Sequence, residues 1–188
     1  LAERAALLGP ASRSSFLRLS AGVWPSAEIL ADPGASLAAL EAAIAAARGG
    51  GAPVAAIGEG GLDYHHMEGP REAQAELLEG QLDLARRLGL PMIAHSRDAF
   101  EDTAAILGAA ARSGVRIVVH CFGYGPDEAR AFLDSGCFVS FAGNLTYKGA
   151  GALREACVVV GADRLLLETD APYMNPMPLR GRPSSPLD

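Results

Sequence analysis

Cysteine is scarce in this sequence. The three thiols, Cys121, Cys137 and Cys157, are odd in number and lack a C-x-x-C spacing, which argues against a disulfide framework and fits free thiols in a reducing compartment. Aromatic residues make up only 6%, so the core is expected to rest on Leu, Ile, Val and close-packed Ala. No apolar run approaches the roughly 18 residues of a membrane span, and no signal peptide is visible; a cytoplasmic location is the default expectation. An excess of base is also missing. The net charge of −6 argues against a broad basic surface for gripping duplex DNA, although bound divalent cations would invert the local charge and admit a phosphate-bearing substrate. There is no initiator Met, and a helical pattern is already under way from Leu1 to Leu8. The chain therefore reads as an internal piece of a longer protein.

What is present points to a folded chain. Of the 188 residues, 49% are hydrophobic and 20% charged, enough to build a substantial core. Short, near-continuously apolar runs alternate with amphipathic stretches. The expected strands are Leu19–Val23, Val54–Gly58, Pro91–His95, Arg116–His120, Cys137–Phe141 and Arg164–Glu168, each of the kind covered on both faces in a parallel sheet.

Between them lie helical patterns with recognisable ends. One follows Pro33 and aligns Leu37, Leu40, Ile44 and Ala47. Another runs from Pro70 to Gly89 with Leu77, Leu78, Leu82, Ala85 and Leu88 inward. A third is expected to be capped by Asp98, with Glu101 closing a capping box. The last two run from Pro126 to Gly136 and through Ala152, Leu153, Ala156 and Val160 to Gly161. Alternation of this kind implies parallel pairing with right-handed crossovers, closed either as an open doubly wound sheet or as a (β/α)8 barrel. No repeat, low-complexity tract or linker divides residues 1–188, so one domain is expected.

The acids and imidazoles are not scattered over this pattern. Glu59, His95, His120 and Asp170 fall at the C-terminal ends of four different expected strands, and in a parallel barrel those ends open on one face, where active sites are built. Two imidazoles and two carboxylates suit Zn, Mn or Mg. Two carboxylates also allow bridging between two ions about 3.5–4 Å apart. A single strand-end His is ordinarily a hydrogen-bonded structural residue, and Asp170 alone would pass for a turn acid before Ala171-Pro172; four such groups in register favour a shared site. Glu59, between an apolar strand and the glycines Gly58, Gly60 and Gly61, reads as a buried functional acid. Arg97 can fork onto a phosphate or carboxylate, or form a salt bridge at the mouth. His65 and His66 read as solvated loop residues rather than ligands, one of them able to touch substrate. Cys121 reads as a small buried side chain, and Arg180 with Arg182 as a solvated basic spot.

Four segments occur in order: Gly58-Glu59-Gly60-Gly61-Leu62-Asp63-Tyr64, Ala94-His95-Ser96-Arg97-Asp98-Ala99, Val119-His120-Cys121-Phe122 and Glu168-Thr169-Asp170-Ala171-Pro172-Tyr173. They closely resemble the signature segments of the TatD family of metal-dependent deoxyribonucleases, over a stretch from about Ala21 to the end. The resemblance implies a TIM (β/α)8 barrel of the metal-dependent hydrolase type and two divalent ions. It makes Glu59 the bridging ligand, His95 and His120 ligands of one ion, and Asp170 a ligand of the other that also takes a proton from the attacking water. The implied reaction is hydrolysis of phosphodiester bonds at ends of DNA, single strands included; no membrane or obligate protein partner is implied.

Two departures from the family stand out. No His precedes His65, so the family's His-x-His strand and the strand after it are expected to be missing from this chain, making the six strands the third to eighth. Where the family often has Gly-x-His-Pro, this chain reads Gly22-Val23-Trp24-Pro25. Trp24 cannot act as a cation, though it can donate one hydrogen bond or stack on a base or sugar. Trp24, Arg97 and Tyr173 are the expected substrate contacts. The alternatives are an amide, lactone or ester hydrolase on the same scaffold, or a non-catalytic metal-binding barrel.

Overall fold

The computed structural model describes residues 16–187, so the helical pattern at Leu1 to Leu8 lies outside the described residues. Six parallel strands form one sheet: β1 (Leu19–Ala21), β2 (Val54–Asp63), β3 (Met92–Arg97), β4 (Ile117–Val119), β5 (Phe138–Phe141) and β6 (Leu165–Leu167). Their order across the sheet is their order in the chain. A doubly wound sheet reverses its order at a switch point; this one never does. The progressive order is that of a barrel wall, and it decides between the two closures left open by the sequence.

The helices are α1 (Ala27–Leu30), α2 (Pro33–Gly49), α3 (Arg71–Leu88), α4 (Phe100–Arg112), α5 (Pro126–Asp134) and α6 (Gly151–Val160). Most begin and end where their chemistry dictates. Asp32 accepts the Ala35 N–H at 2.9 Å ahead of α2, and α3 stops at Gly89 with φ +65°, a left-handed conformation that glycine adopts at no steric cost. Helix α4 departs from expectation: it begins at Phe100 with no side-chain cap. Asp98 has φ +54° and faces His65 instead, while the Ala99 N–H donates to the Tyr124 hydroxyl. Asp98 is therefore not the cap.

Helix α3 packs on β2 and buries Leu77, Leu78, Leu82, Leu84 and Ala85, each Leu contributing about 1.5–3 kcal/mol of hydrophobic stabilisation. The expected aliphatic core holds there but not throughout. Phe122, Phe132 and Phe141 are fully buried and meet edge to face, with ring centroids 5.7 Å apart for Phe122 and Phe141. Five of the aromatics, Phe100, Phe122, Tyr124, Phe132 and Phe141, are in mutual ring contact there.

Strand β2 runs on to Asp63 rather than ending at Gly58. Its pairing with β3 slips between Ile57 and Gly60, a bulge that presents Glu59 out of line with its neighbours. Gly58 is required there: its φ is +126°, and a Cβ would lie 2.5 Å from the Ile93 carbonyl oxygen. Strand β3 likewise continues past His95 to Arg97, whereas β4 and β6 stop one residue before His120 and Glu168. Among the described residues, no helix is long and apolar enough to cross a membrane.

Candidate metal centre

Because β2, β3 and β4 are adjacent and neighbouring strands lie about 4.8 Å apart, side chains at their C-terminal ends are forced together. The bulge of β2 carries Glu59, β3 carries His95 opposite Gly61, and the His120 N–H donates to the Ala94 carbonyl at 3.0 Å. Glu59 Oε1 lies 3.0 Å from His95 Nδ1 and 2.8 Å from His120 Nε2. One donor atom from each of the three residues falls within 4.8 Å of the others.

The ring nitrogens that turn away from Glu59 meet carboxylates. His95 Nε2 lies 3.3 Å from Asp63 Oδ2, and His120 Nδ1 lies 3.4 Å from Glu168 Oε2. Asp63 is itself held by the His66 N–H at 2.8 Å and His66 Nδ1 at 2.7 Å. Glu168 accepts from the Cys121 N–H and the Ser140 hydroxyl. Carboxylates placed behind imidazoles fix the tautomer and strengthen the ring as a donor.

The electrostatics follow from this packing. Burial works against charge on Glu59, but His120 and His95 outweigh it and hold its pKa down to about 2. Burial likewise disfavours a charged His120, yet Glu168 and Glu59 push its pKa up to about 10. Asp170 moves the other way: burial raises its pKa, against the lowering effects of the Cys121 thiol and His120.

The three clustered residues fit a divalent cation. His120 Nε2 is buried and, although close to Glu59, makes no hydrogen bond of acceptable geometry. A buried ring nitrogen without a hydrogen bond, beside a carboxylate and a second imidazole, belongs to the donor set of a Zn, Mn or Mg site.

These groups line a cavity of about 760 Å³. Glu59 is walled on its sides but open to the cavity, its side chain 39% exposed, so it is not the buried acid expected. Asp170 lines the same cavity but stands outside the cluster of three, with φ +53°. Trp24 is edge-on to the His95 ring at 4.6 Å. Arg97 is exposed on the wall and makes no ion pair among the described residues, which removes the mouth salt bridge. Tyr173, 68% exposed, stands at the rim.

His66 is tied to Asp63 and lines the cavity rather than being simply solvated, and His65 pairs with Asp98 at 3.2 Å. Cys121 is partly buried with φ +44°, its thiol against Asp170 and its pKa raised by burial first. Arg180 is not merely solvated, since it stacks on Tyr147 at 4.3 Å. Sequence reasoning missed Asp63 and Glu168. The available signal was position: both are acids at strand ends, four residues after Glu59 and two before Asp170.

Known proteins resemble this chain in sequence and in fold. A family model described as TatD related DNase matches residues 8–188. The uncharacterized metal-dependent hydrolase YabD of Bacillus subtilis is 40% identical over 133 residues, covering 71% of this chain and 52% of that protein. The 3'-5' ssDNA/RNA exonuclease TatD of Pantoea ananatis is 41% identical over 133 residues, or 70% of this chain and 51% of that one. The crystal structure of YJJV, a TatD homologue from Escherichia coli K12, has a TM-score of 0.83 at 32% identity and covers 97% of this chain and 68% of its own. The chain spans about half the length of the curated relatives it matches. A family model matching nearly every residue and the likeness to YJJV lead to one conclusion: this chain, with its TIM-barrel-like fold, belongs to the TatD related DNase family of metal-dependent hydrolases.

Proposed function

We propose that the intact protein is a cytoplasmic, divalent-metal-dependent phosphodiesterase that removes nucleotides from ends of single-stranded nucleic acid. The observation that carries this reading is the convergence of Glu59 Oε1 on His95 Nδ1 and His120 Nε2 at the mouth of a cavity whose wall holds an unpaired Arg97. The name of the Pantoea relative, an exonuclease on single-stranded DNA and RNA, supports the substrate class.

In this reading Glu59, His95, His120 and Asp170 would hold the divalent metal. When bound, the metal supplies Lewis acidity toward a phosphoryl oxygen and makes water a better nucleophile at neutral pH. Arg97 forks onto the phosphate and fixes its orientation. An Asp170 oxygen takes the proton of the attacking water as the new P–O bond forms and the ester P–O bond breaks, and the departing sugar oxygen takes up a proton from solvent. Trp24 and Tyr173 supply flat faces for the terminal bases.

The test uses full-length protein on 5'-labelled single-stranded DNA, with EDTA and with Mg²⁺ or Mn²⁺. Metal-dependent shortening from the 3' end, abolished by Glu59→Gln and by Asp170→Asn, is the expected result. Full activity in either variant, or no cleavage by protein that binds the ion, overturns the reading. Trp24 beside His95 favours one second reading, a non-phosphate ester or amide substrate. A panel of such substrates run alongside separates the two.

A further inference from the structure

Helix α3 carries two glutamines that look misplaced on an apolar face. Gln74 and Gln81 are both 0% exposed and, seven residues apart, share one side of the helix. Each uses its amide as an adjoining strand uses a peptide. Gln81 Oε1 accepts the Val23 N–H at 2.9 Å while its Nε2 donates to the Val23 carbonyl at 3.1 Å. Gln74 does the same for Asp63, at 2.9 Å and 3.1 Å.

Val23 lies two residues beyond β1, and Asp63 is the last residue of β2. Both are places where the chain leaves the sheet for the cavity. A Cβ on Gly60 would sit 2.4 Å from Gln81 Nε2, so the strand leaves room for that amide.

What the clamped residues do next links them. Trp24, immediately after Val23, stands edge-on to the His95 ring at 4.6 Å. Asp63 reaches Nε2 of the same ring at 3.3 Å. His95 thus meets Glu59 at Nδ1, Asp63 at Nε2, and Trp24 and His120 against the ring, and two of these, Asp63 and Trp24, are placed by α3. We propose that Gln74 and Gln81 are positioning residues that set the His95 imidazole through Asp63 and Trp24, so that the geometry of the metal ligand is governed from the outer helical layer. The proposal rests on the reading of His95 as a ligand.

A methionine of similar size keeps the packing but cannot pair with the backbone; a glutamate keeps the acceptor and loses the donor. Gln74→Met, Gln81→Met, Gln74→Glu and Gln81→Glu are made in the full-length protein. Two properties are read: Mn²⁺ affinity, and the emission of Trp24 in EDTA, isolated by subtracting a Trp24→Phe variant. Folded variants are expected to bind Mn²⁺ about tenfold more weakly, the lower end of what loss of a ligand's supporting partner does. The Gln81 variants, but not the Gln74 variants, should also shift the Trp24 emission and expose it to acrylamide.

Folded variants with unchanged Mn²⁺ affinity, beside a wild type that binds Mn²⁺, overturn the clamp alone. A wild type that binds no Mn²⁺ overturns the metal reading and the clamp together. Should no variant fold, amide exchange in the wild type decides: slow exchange at Val23 and Asp63 supports the clamp, and exchange as fast as in exposed turns overturns it.

Discussion

Replacing Glu168 with Gln changes one oxygen for an NH2 group and should cripple metal binding without disturbing the fold. One Glu168 oxygen accepts from the Cys121 N–H and the Ser140 hydroxyl. The other faces His120 Nδ1 at 3.4 Å. A glutamine can keep its oxygen toward the two donors, which then turns its NH2 toward His120. Two N–H groups cannot face each other, so the imidazole must move its proton to Nε2, the atom beside Glu59 and the one expected to bind the ion. Changes behind a metal-bound His typically weaken binding by about 10–100-fold, or about 1.4–2.7 kcal/mol at 1.4 kcal/mol per decade.

Titration of full-length wild type and variant with Mn²⁺ against a competing chelator measures the change, and thermal melts in EDTA confirm that both are folded. A Glu168→Gln variant within twofold of wild-type affinity would refute the reading of His120 as a metal ligand supported by Glu168.

Three further outcomes follow from the same structure. Leu78→Ala, at a fully buried position of α3, should lower stability by about 2–5 kcal/mol, read in urea melts in EDTA; a loss under about 1 kcal/mol would contradict the packing of α3 on β2. In EDTA, the melting temperature should be highest between about pH 4.5 and 6.5 as far as this site is concerned. His120 has its pKa raised from 6.5 to about 10, so its contribution is complete below 6.5 and lost as pH rises through 10. Glu59 is lowered from 4.5 to about 2, so its contribution is complete above 4.5 and lost as pH falls through 2. The two shifts describe one interaction, and Glu59→Gln should flatten the profile on both sides. Finally, β6 leaves Leu166 and Leu167 44% and 76% exposed and, among the described residues, pairs with β5 alone, an open sheet edge of the sort that pairs with other chains. A polypeptide of residues 1–188 alone is expected to self-associate in sedimentation experiments, less so with Leu167→Lys; a monodisperse monomer would contradict this.

Much of the molecule was legible in the residues alone. Apolar runs of strand length, prolines at helix starts and glycines past helix ends act locally, through φ, lost N–H groups and side-chain period, so the alternation of elements and most helix ends could be read directly. Because parallel strands all open on one face, the grouping of Glu59, His95 and His120 followed from their place at strand ends, and the ordered motifs pointed to the family that the comparisons show. Packing decided the rest. Nothing local says that β2 bulges at Glu59 and continues to Asp63, since the glycines that permit the bulge also read as a turn. Asp98 has the chemistry of a cap, but the Tyr124 hydroxyl, from the loop between β4 and α5, meets the Ala99 N–H instead. Asp63 and Glu168 stand behind the two imidazoles, and Gln74 and Gln81 lie buried on an apolar helix face, because each finds its partner on a different element. Hydrogen bonds between elements distant in sequence leave no periodicity behind, and only the assembled sheet brings their two ends together.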